Sequence, residues 1–123
     1  MRIRSHKDLD VYRLAFDLAM KIFNTSKTFP IEERYSLTDQ IRRSSRSVCA
    51  NIGEAFRKRR YEKSFIAKLN DAEGEAAETQ VWIEFAQANG YLSEEKANAL
   101  CTAYDDAIGK LVTMSNQADK WSL

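Results

Sequence analysis

Helix breakers are scarce in this chain. Pro30 is the only proline, and four glycines are spread over 123 residues, so long stretches can stay helical without interruption. Long apolar runs are missing too. None approaches the ~20 residues that a membrane-spanning helix needs. The opening MRIRSHKDLD has basic residues but no apolar stretch of the kind a secretory signal carries. Histidine occurs once, at His6. It lies in the N-terminal arm, where disorder is common and a Ser/His/Asp set is poorly placed. A lone histidine also excludes an H-E-x-x-H motif and the paired Glu-x-x-His of carboxylate metal bundles, leaving Glu73, Glu75 and Glu78 as acids without histidine partners. No phosphate-cradling glycine loop is present. The two cysteines, Cys49 and Cys101, lack C-x-x-C spacing and read as buried free thiols of a reducing cytoplasm. The expectation is a cytoplasmic, non-enzymatic protein with no catalytic residues, no metal, no cofactor and no membrane partner.

What is present is helical periodicity. Apolar content of 44% with 30% charge suits one globular domain over residues 1–123, and no alternating strand pattern runs through it. Four segments repeat apolar residues at helical spacing. The first, about 9–28, carries Val11, Leu14, Ala15, Leu18 and Ile22 and stops before Pro30. The second, about 37–56, carries Leu37, Ile41, Ser44, Ser45, Val48, Ile52, Ala55 and Phe56, with Ser36 as its N-cap and Asp39 in the capping-box position. The third, about 61–89, runs from Tyr61 and Phe65 through Leu69, Ala72, Ala76, Thr79, Ile83 and Ala86 to the stop signal Asn89-Gly90. The fourth, about 94–119, is capped by Ser93, and its seam is Leu100, Tyr104, Ala107, Leu111, Met114, Ala118 and Trp121. Short connections between them predict an all-α, antiparallel up-down-up-down four-helix bundle.

Two helices carry more apolar surface than one bundle stripe requires. On the first, Tyr12, Phe16, Met20 and Phe23 form a second stripe; on the third, Val81, Trp82 and Phe85 turn away from the Leu69/Ala76/Ile83 seam, with Gly74 and Ala77 on the same outer side. A monomer rarely exposes large contiguous apolar patches. These stripes are therefore expected at subunit interfaces of a homo-oligomer, the alternative being helices buried on several sides within one bundle. Gly74 points the same way: a mid-helix glycine costs about 1 kcal/mol against alanine, and close approach of another backbone would offset it.

Charge is distributed unevenly. Residues 1–68 hold 16 basic and 8 acidic residues, whereas 69–123 hold 3 and 10, although the whole chain has a net charge of only +1. The stretch QIRRSSRSVCANIGEAFRKRR, residues 40–60, alone holds seven basic residues. Arg42, Arg43, Arg46, Arg57, Lys58, Arg59, Arg60 and Lys63 make a candidate nucleic-acid-binding patch on the second helix and the turn after it. Lys and Arg contact phosphates with little sequence choice. Ala50 and Gly53 interrupt the arginine stripe, so a neighbouring helix or a phosphate backbone comes close there. Tyr61 is the single stacking candidate beside the patch, because Phe56 is expected to face the core. The competing reading pairs these arginines with acids, Glu54 and Glu78 with Arg43 among them, within the bundle or across subunits.

The segment FPIEERYSLTDQIRRSSRSVCANIGEA, followed by LNDAEGEAAETQVWIEFAQANGYL, resembles the four-helix-bundle proteins named for open reading frames in intervening sequences of bacterial 23S rRNA genes. The likeness covers about residues 8–115. Gln40, Arg42, Arg43, Ser47, Asn51, Ile52, Glu54 and Glu78 occupy its signature positions. In Asn-Ile-Gly-Glu-Ala the glycine precedes Glu54 instead of following it, which leaves the end of the second helix open. The resemblance implies a ring-like homopentamer without established enzymatic activity. It also implies kinship with the accessory protein of diversity-generating retroelements, which binds nucleic acid and a reverse transcriptase through a basic surface. Taken together, the expected partners are the chain itself, structured RNA or other nucleic acid, and, alternatively, a protein partner for which the bundle is a scaffold.

Overall fold

The computed structural model describes residues 3–121 and, among these, contains helices and turns without strands. Five α-helices are α1 (Asp10–Ser26), α2 (Leu37–Arg57), α3 (Glu62–Ala88), α4 (Glu94–Asn116) and the single-turn α5 (Ala118–Trp121). Short 3-10 turns at His6–Asp8 and Ile31–Glu33 precede α1 and α2. The four long helices form a bundle, each packed on its sequence neighbour, with α1 closing weakly on α4. Cross-helix contacts give the direction: Thr79 of α3 meets Ser44 of α2, and Lys68 of α3 meets Glu54 of α2. A rising number on one helix meets a falling number on the other, so the pair is antiparallel.

The seams read from sequence form the core. Val11, Ala15, Leu18 and Ile22 of α1, Ile41, Val48 and Ile52 of α2, Phe65, Leu69, Ala76 and Ile83 of α3, and Tyr104 and Leu111 of α4 are all buried. Small residues sit at facing positions, so α2 and α3 approach closely. Between them the buried Thr79 Oγ1 lies 2.8 Å from Ser44 Oγ, and each hydroxyl also has a carbonyl of its own helix within reach, Glu75 for Thr79 and Ile41 for Ser44, so neither is left unsatisfied. The Tyr104 hydroxyl is buried without a protein hydrogen-bond partner among the described residues.

Helix ends follow local chemistry, with corrections to the sequence reading: the fourth helix, expected to run to 119, stops at Asn116, and a break at Gln117 puts Ala118 and Trp121 on α5. The α3 stop is as expected: Gly90 takes φ 81°, and the Tyr91 and Gly90 amides donate to Ala86 and Gln87 carbonyls at 2.8 and 2.9 Å, a Schellman closure. Ser93 caps α4 by accepting from the Lys96 amide at 3.1 Å. Ser36, however, makes no side-chain cap; Glu33 reaches from the connector and accepts from the Leu37 amide at 3.3 Å, replacing the predicted Ser36/Asp39 box. Helix α1 ends at Ser26, before the predicted Thr28, because the Phe29 amide turns back to the Ser26 carbonyl and carries the Phe29 ring into the core. Tyr61, predicted to open the α3 seam, is the N-cap residue and is 63% exposed. Its non-helical backbone sets the side chain off the helical repeat that buries Phe65.

Candidate nucleic-acid interface

The second helix stops one residue beyond the predicted Phe56, at Arg57, with Lys58 as C-cap. The turn that follows is tightly held. The Lys58 amide donates to Glu54 and Ala55 carbonyls, and the Tyr61 amide to the Lys58 carbonyl at 2.9 Å. Arg59 completes it: Nη1 donates to the Phe56 carbonyl at 2.8 Å, and the guanidinium lies 3.8 Å from the Phe56 ring centroid. Arg59 thus satisfies a helix-end carbonyl and covers the edge of the core. Its charge is largely committed to the fold.

Arg57, Lys58, Arg60 and Lys63 are different. All four are exposed, and none makes a salt bridge among the described residues. Of the acids in the neighbourhood, Glu54 is taken by Lys68 at 2.9 Å and also feels the charge of Lys58, while the exposed Glu62 stands in the first turn of α3. The Lys68 bond holds the Glu54 carboxyl below its ordinary range and the Lys68 ammonium above its own. The expected pairing of Glu54 and Glu78 with Arg43 is not found. Glu78 instead accepts from Trp82 Nε1 at 3.2 Å, and Arg43 lies a loose 3.9 Å from Asp39 one turn back on its own helix. An exposed pair of that kind contributes little.

Arg42 and Arg46 lie elsewhere. They point across to α1, where their guanidiniums stand 4.7 and 5.7 Å from the Phe23 ring centroid. Lys27 Nζ approaches the same ring at 4.8 Å, and Arg42 Nε donates to the buried Ser26 Oγ at 2.7 Å. Eleven residues of helix separate Arg46 from Arg57, roughly 16 Å of rise. The basic stretch therefore divides into a cation-rich turn at one end of the bundle and an arginine–aromatic cluster on the α1/α2 face.

That face also holds the surplus apolar stripe of α1. Tyr12, Phe16, Met20 and Phe23 border a groove of about 380 Å³ with Ala50 and Gly53 on its opposite wall. Phe16 and Met20 remain 48% and 45% exposed. His6, expected in a loose arm, packs edge-on to Tyr12 at 4.7 Å and against Gly53. Cys49 lines the groove too, and burial pushes its thiol up to about 11. On α3, Val81 and Phe85 are exposed and Trp82 is half-buried against Phe85. A methyl group on Gly74 would meet nothing within 4 Å, so no part of the same chain accounts for that glycine.

The signature positions have mixed roles. Ile52 is core, Asn51 Nδ2 donates to the Ser47 carbonyl at 2.9 Å, Glu54 bridges α2 to α3, and Gln40 is exposed. A larger cavity, about 900 Å³, lies between the start of α1 and the second half of α4, lined by Asp105, Asp106, Lys110 and Trp121 among others. No motif marked it, because its residues are far apart in sequence and meet only when α1 and α4 splay. Among the described residues no group of three or more His, Cys, Asp or Glu side chains could hold a metal ion, and no helix is long and apolar enough to cross a membrane.

The comparisons with known proteins agree with this architecture. A family model described as 23S rRNA-intervening sequence protein matches residues 7–113. A solved protein of unknown function from the S23 ribosomal protein family of Bacteroides thetaiotaomicron is similar in fold, with a TM-score of 0.78 and 29% identity over 86% of this chain and 95% of its own. No curated protein matches.

Proposed function

The chain belongs to the 23S rRNA-intervening sequence protein family, and from that premise we propose that it is a non-enzymatic bundle that binds structured RNA, or other nucleic acid, at its α2–α3 turn. The observation that carries this reading is the set of four exposed cations, Arg57, Lys58, Arg60 and Lys63, without a salt bridge among the described residues on a turn fixed by backbone hydrogen bonds. Exposed cations at such density, outnumbering the nearby Glu62, repel one another and favour a polyanion, and each phosphate they neutralise releases counterions. Binding of a structured RNA across a salt series tests it. Micromolar or tighter affinity is expected, falling steeply with salt, and Arg57→Ala/Lys58→Ala/Arg60→Ala should flatten the slope by about three contacts' worth. Absence of binding at low salt would overturn the reading.

A second reading is favoured by a separate observation. The α1/α2 groove leaves Phe16 and Met20 half exposed beneath Arg42 and Arg46, and the outer face of α3 leaves Val81 and Phe85 exposed beside Glu78 and Glu84. These faces match in apolar character and are opposite in charge. They suit a homo-oligomer, for which the family resemblance implies a pentameric ring, or docking of an acidic protein partner. On this reading Arg42 and Arg46 serve assembly while the α2–α3 turn serves the nucleic acid.

A further inference from the structure

Tyr61 does none of the work that the fold offers a residue at its position. Helix N-caps favour Ser, Thr, Asp or Asn, whose side chains accept from the first free amides; Tyr61 supplies no such bond to α3. Nor does it enter the core. It is 63% exposed while Phe65, one turn on, is 1% exposed. Among the described residues it also takes no cation on its ring, although Arg57, Lys58, Arg60 and Lys63 surround it in sequence, with Glu62 beside it. Elsewhere in the molecule cations find rings readily: Arg59 covers Phe56, Arg42 and Arg46 cover Phe23, and Arg34 covers even the exposed Tyr35. Its backbone, by contrast, is fixed. The Tyr61 amide donates to the Lys58 carbonyl and its carbonyl accepts from the Phe65 amide, both at 2.9 Å. A bare aromatic face is thus carried on a rigid mount amid unpaired cations. A residue that breaks the local rules without a structural gain marks a functional position.

Resting on the nucleic-acid reading above, we propose that Tyr61 is a stacking platform for one unpaired nucleotide, which makes the ligand of this turn a folded RNA with an unpaired base beside a helical stem. Stacking on a single ring accepts any base, since every base has a π-face. It requires that the base be out of a duplex, because bases within a stem are already stacked and their faces closed. The four cations hold the phosphates of the adjoining stem or loop, which positions the chain without reading sequence. One tyrosine among backbone contacts therefore selects for nucleotide exposure, not for nucleotide identity.

The test compares an RNA hairpin having a single-stranded loop with a blunt duplex of the same stem, using the full-length chain and fluorescence anisotropy. The wild-type chain is expected to favour the hairpin. Tyr61→Ser should weaken hairpin binding about tenfold, leave duplex binding and the salt slope unchanged, and keep or raise the melting temperature, since serine can cap α3. Tyr61→Phe should retain hairpin binding. If Tyr61→Ser weakens both RNAs equally, or neither, while the wild-type chain still binds the duplex, Tyr61 is no platform and the phosphate-binding reading stands without it. If the wild-type chain binds neither RNA at low salt, both readings fall.

Discussion

Two tyrosines show how differently one residue type is used here. Tyr61 displays its ring to solvent, whereas Tyr104 is fully buried with its hydroxyl lacking a protein partner among the described residues. Burial pushes the Tyr104 phenol well above its ordinary range, so it stays neutral throughout the physiological range. A buried hydroxyl without a partner carries a desolvation cost of about 1–3 kcal/mol, and removing the oxygen alone leaves the ring's packing intact. Tyr104→Phe is therefore expected to raise stability by about 1 kcal/mol, read as a higher urea midpoint at unchanged slope. A clear loss of stability would show that the hydroxyl is satisfied in solution. Cys49 illustrates the same force on a thiol, pushed up to about 11 by partial burial; neither it nor Cys101 is fully buried, which corrects the expectation of two buried thiols.

At the scale of elements, the α2–α3 pair is the most extensive contact in the bundle, and Glu54–Lys68 is its one inter-helix salt bridge among the described residues. The two shifts set its pH window. The Glu54 carboxyl is depressed below 4.5, so its contribution is present above that value and is lost as pH falls through the folded pKa. The Lys68 ammonium is raised above 10.5, so its contribution is lost only as pH rises through that higher value. Glu54→Gln should accordingly lower the melting temperature slightly at neutral pH, with the gap to wild type closing as acid takes the carboxylate through its depressed folded pKa. A gap that persists in acid would mean that Glu54 acts through packing and not through charge. The caps at this scale were partly legible. Asn89-Gly90 and Ser93 announced their ends because a left-handed glycine and a serine cap are local devices. Glu33 at the start of α2 was not legible as a cap, because it reaches back from a 3-10 turn that sequence periodicity does not register.

For the whole molecule, charge and apolar surface are arranged by face and not by segment. The basic half and the acidic half pack side by side, yet the ion pairs among the described residues lie mostly within the basic half. Among the described residues the salt bridges join only Arg13 to Asp8, Arg43 to Asp39, and Lys68 to Glu54 and Asp71. If the α1/α2 groove and the α3 outer face serve assembly, Met20→Asp and Phe85→Asp should each reduce the mass found by sedimentation to that of one chain, with helical content unchanged. An oligomer that survives both changes would place its interface elsewhere. The same variants should leave RNA binding per chain at the α2–α3 turn intact, because the turn lies at the end of the bundle and not on either face.

The sequence by itself determined the four long helices, their order and nearly all of the core, since helical periodicity and scarce breakers act locally and the apolar repeat leaves one stripe per helix to bury. Its family motifs likewise identified the kinship. What it could not determine was which charges remain free. Eight basic residues formed one run on paper, yet Arg59 closes a helix end, Arg42 and the exposed Arg46 lie over Phe23, Arg43 leans towards Asp39, and Arg57, Lys58, Arg60 and Lys63 stand exposed with neither a salt bridge nor a ring beneath them among the described residues. That division depends in part on near neighbours, as Asp39 for Arg43 and Phe56 for Arg59, and in part on residues sixteen or more positions away, such as Ser26 beside Arg42, or on the path of a turn, as at Tyr61. Long side chains have many rotamers, and the neighbour that fixes one is supplied by tertiary packing, which spacing along the chain does not encode.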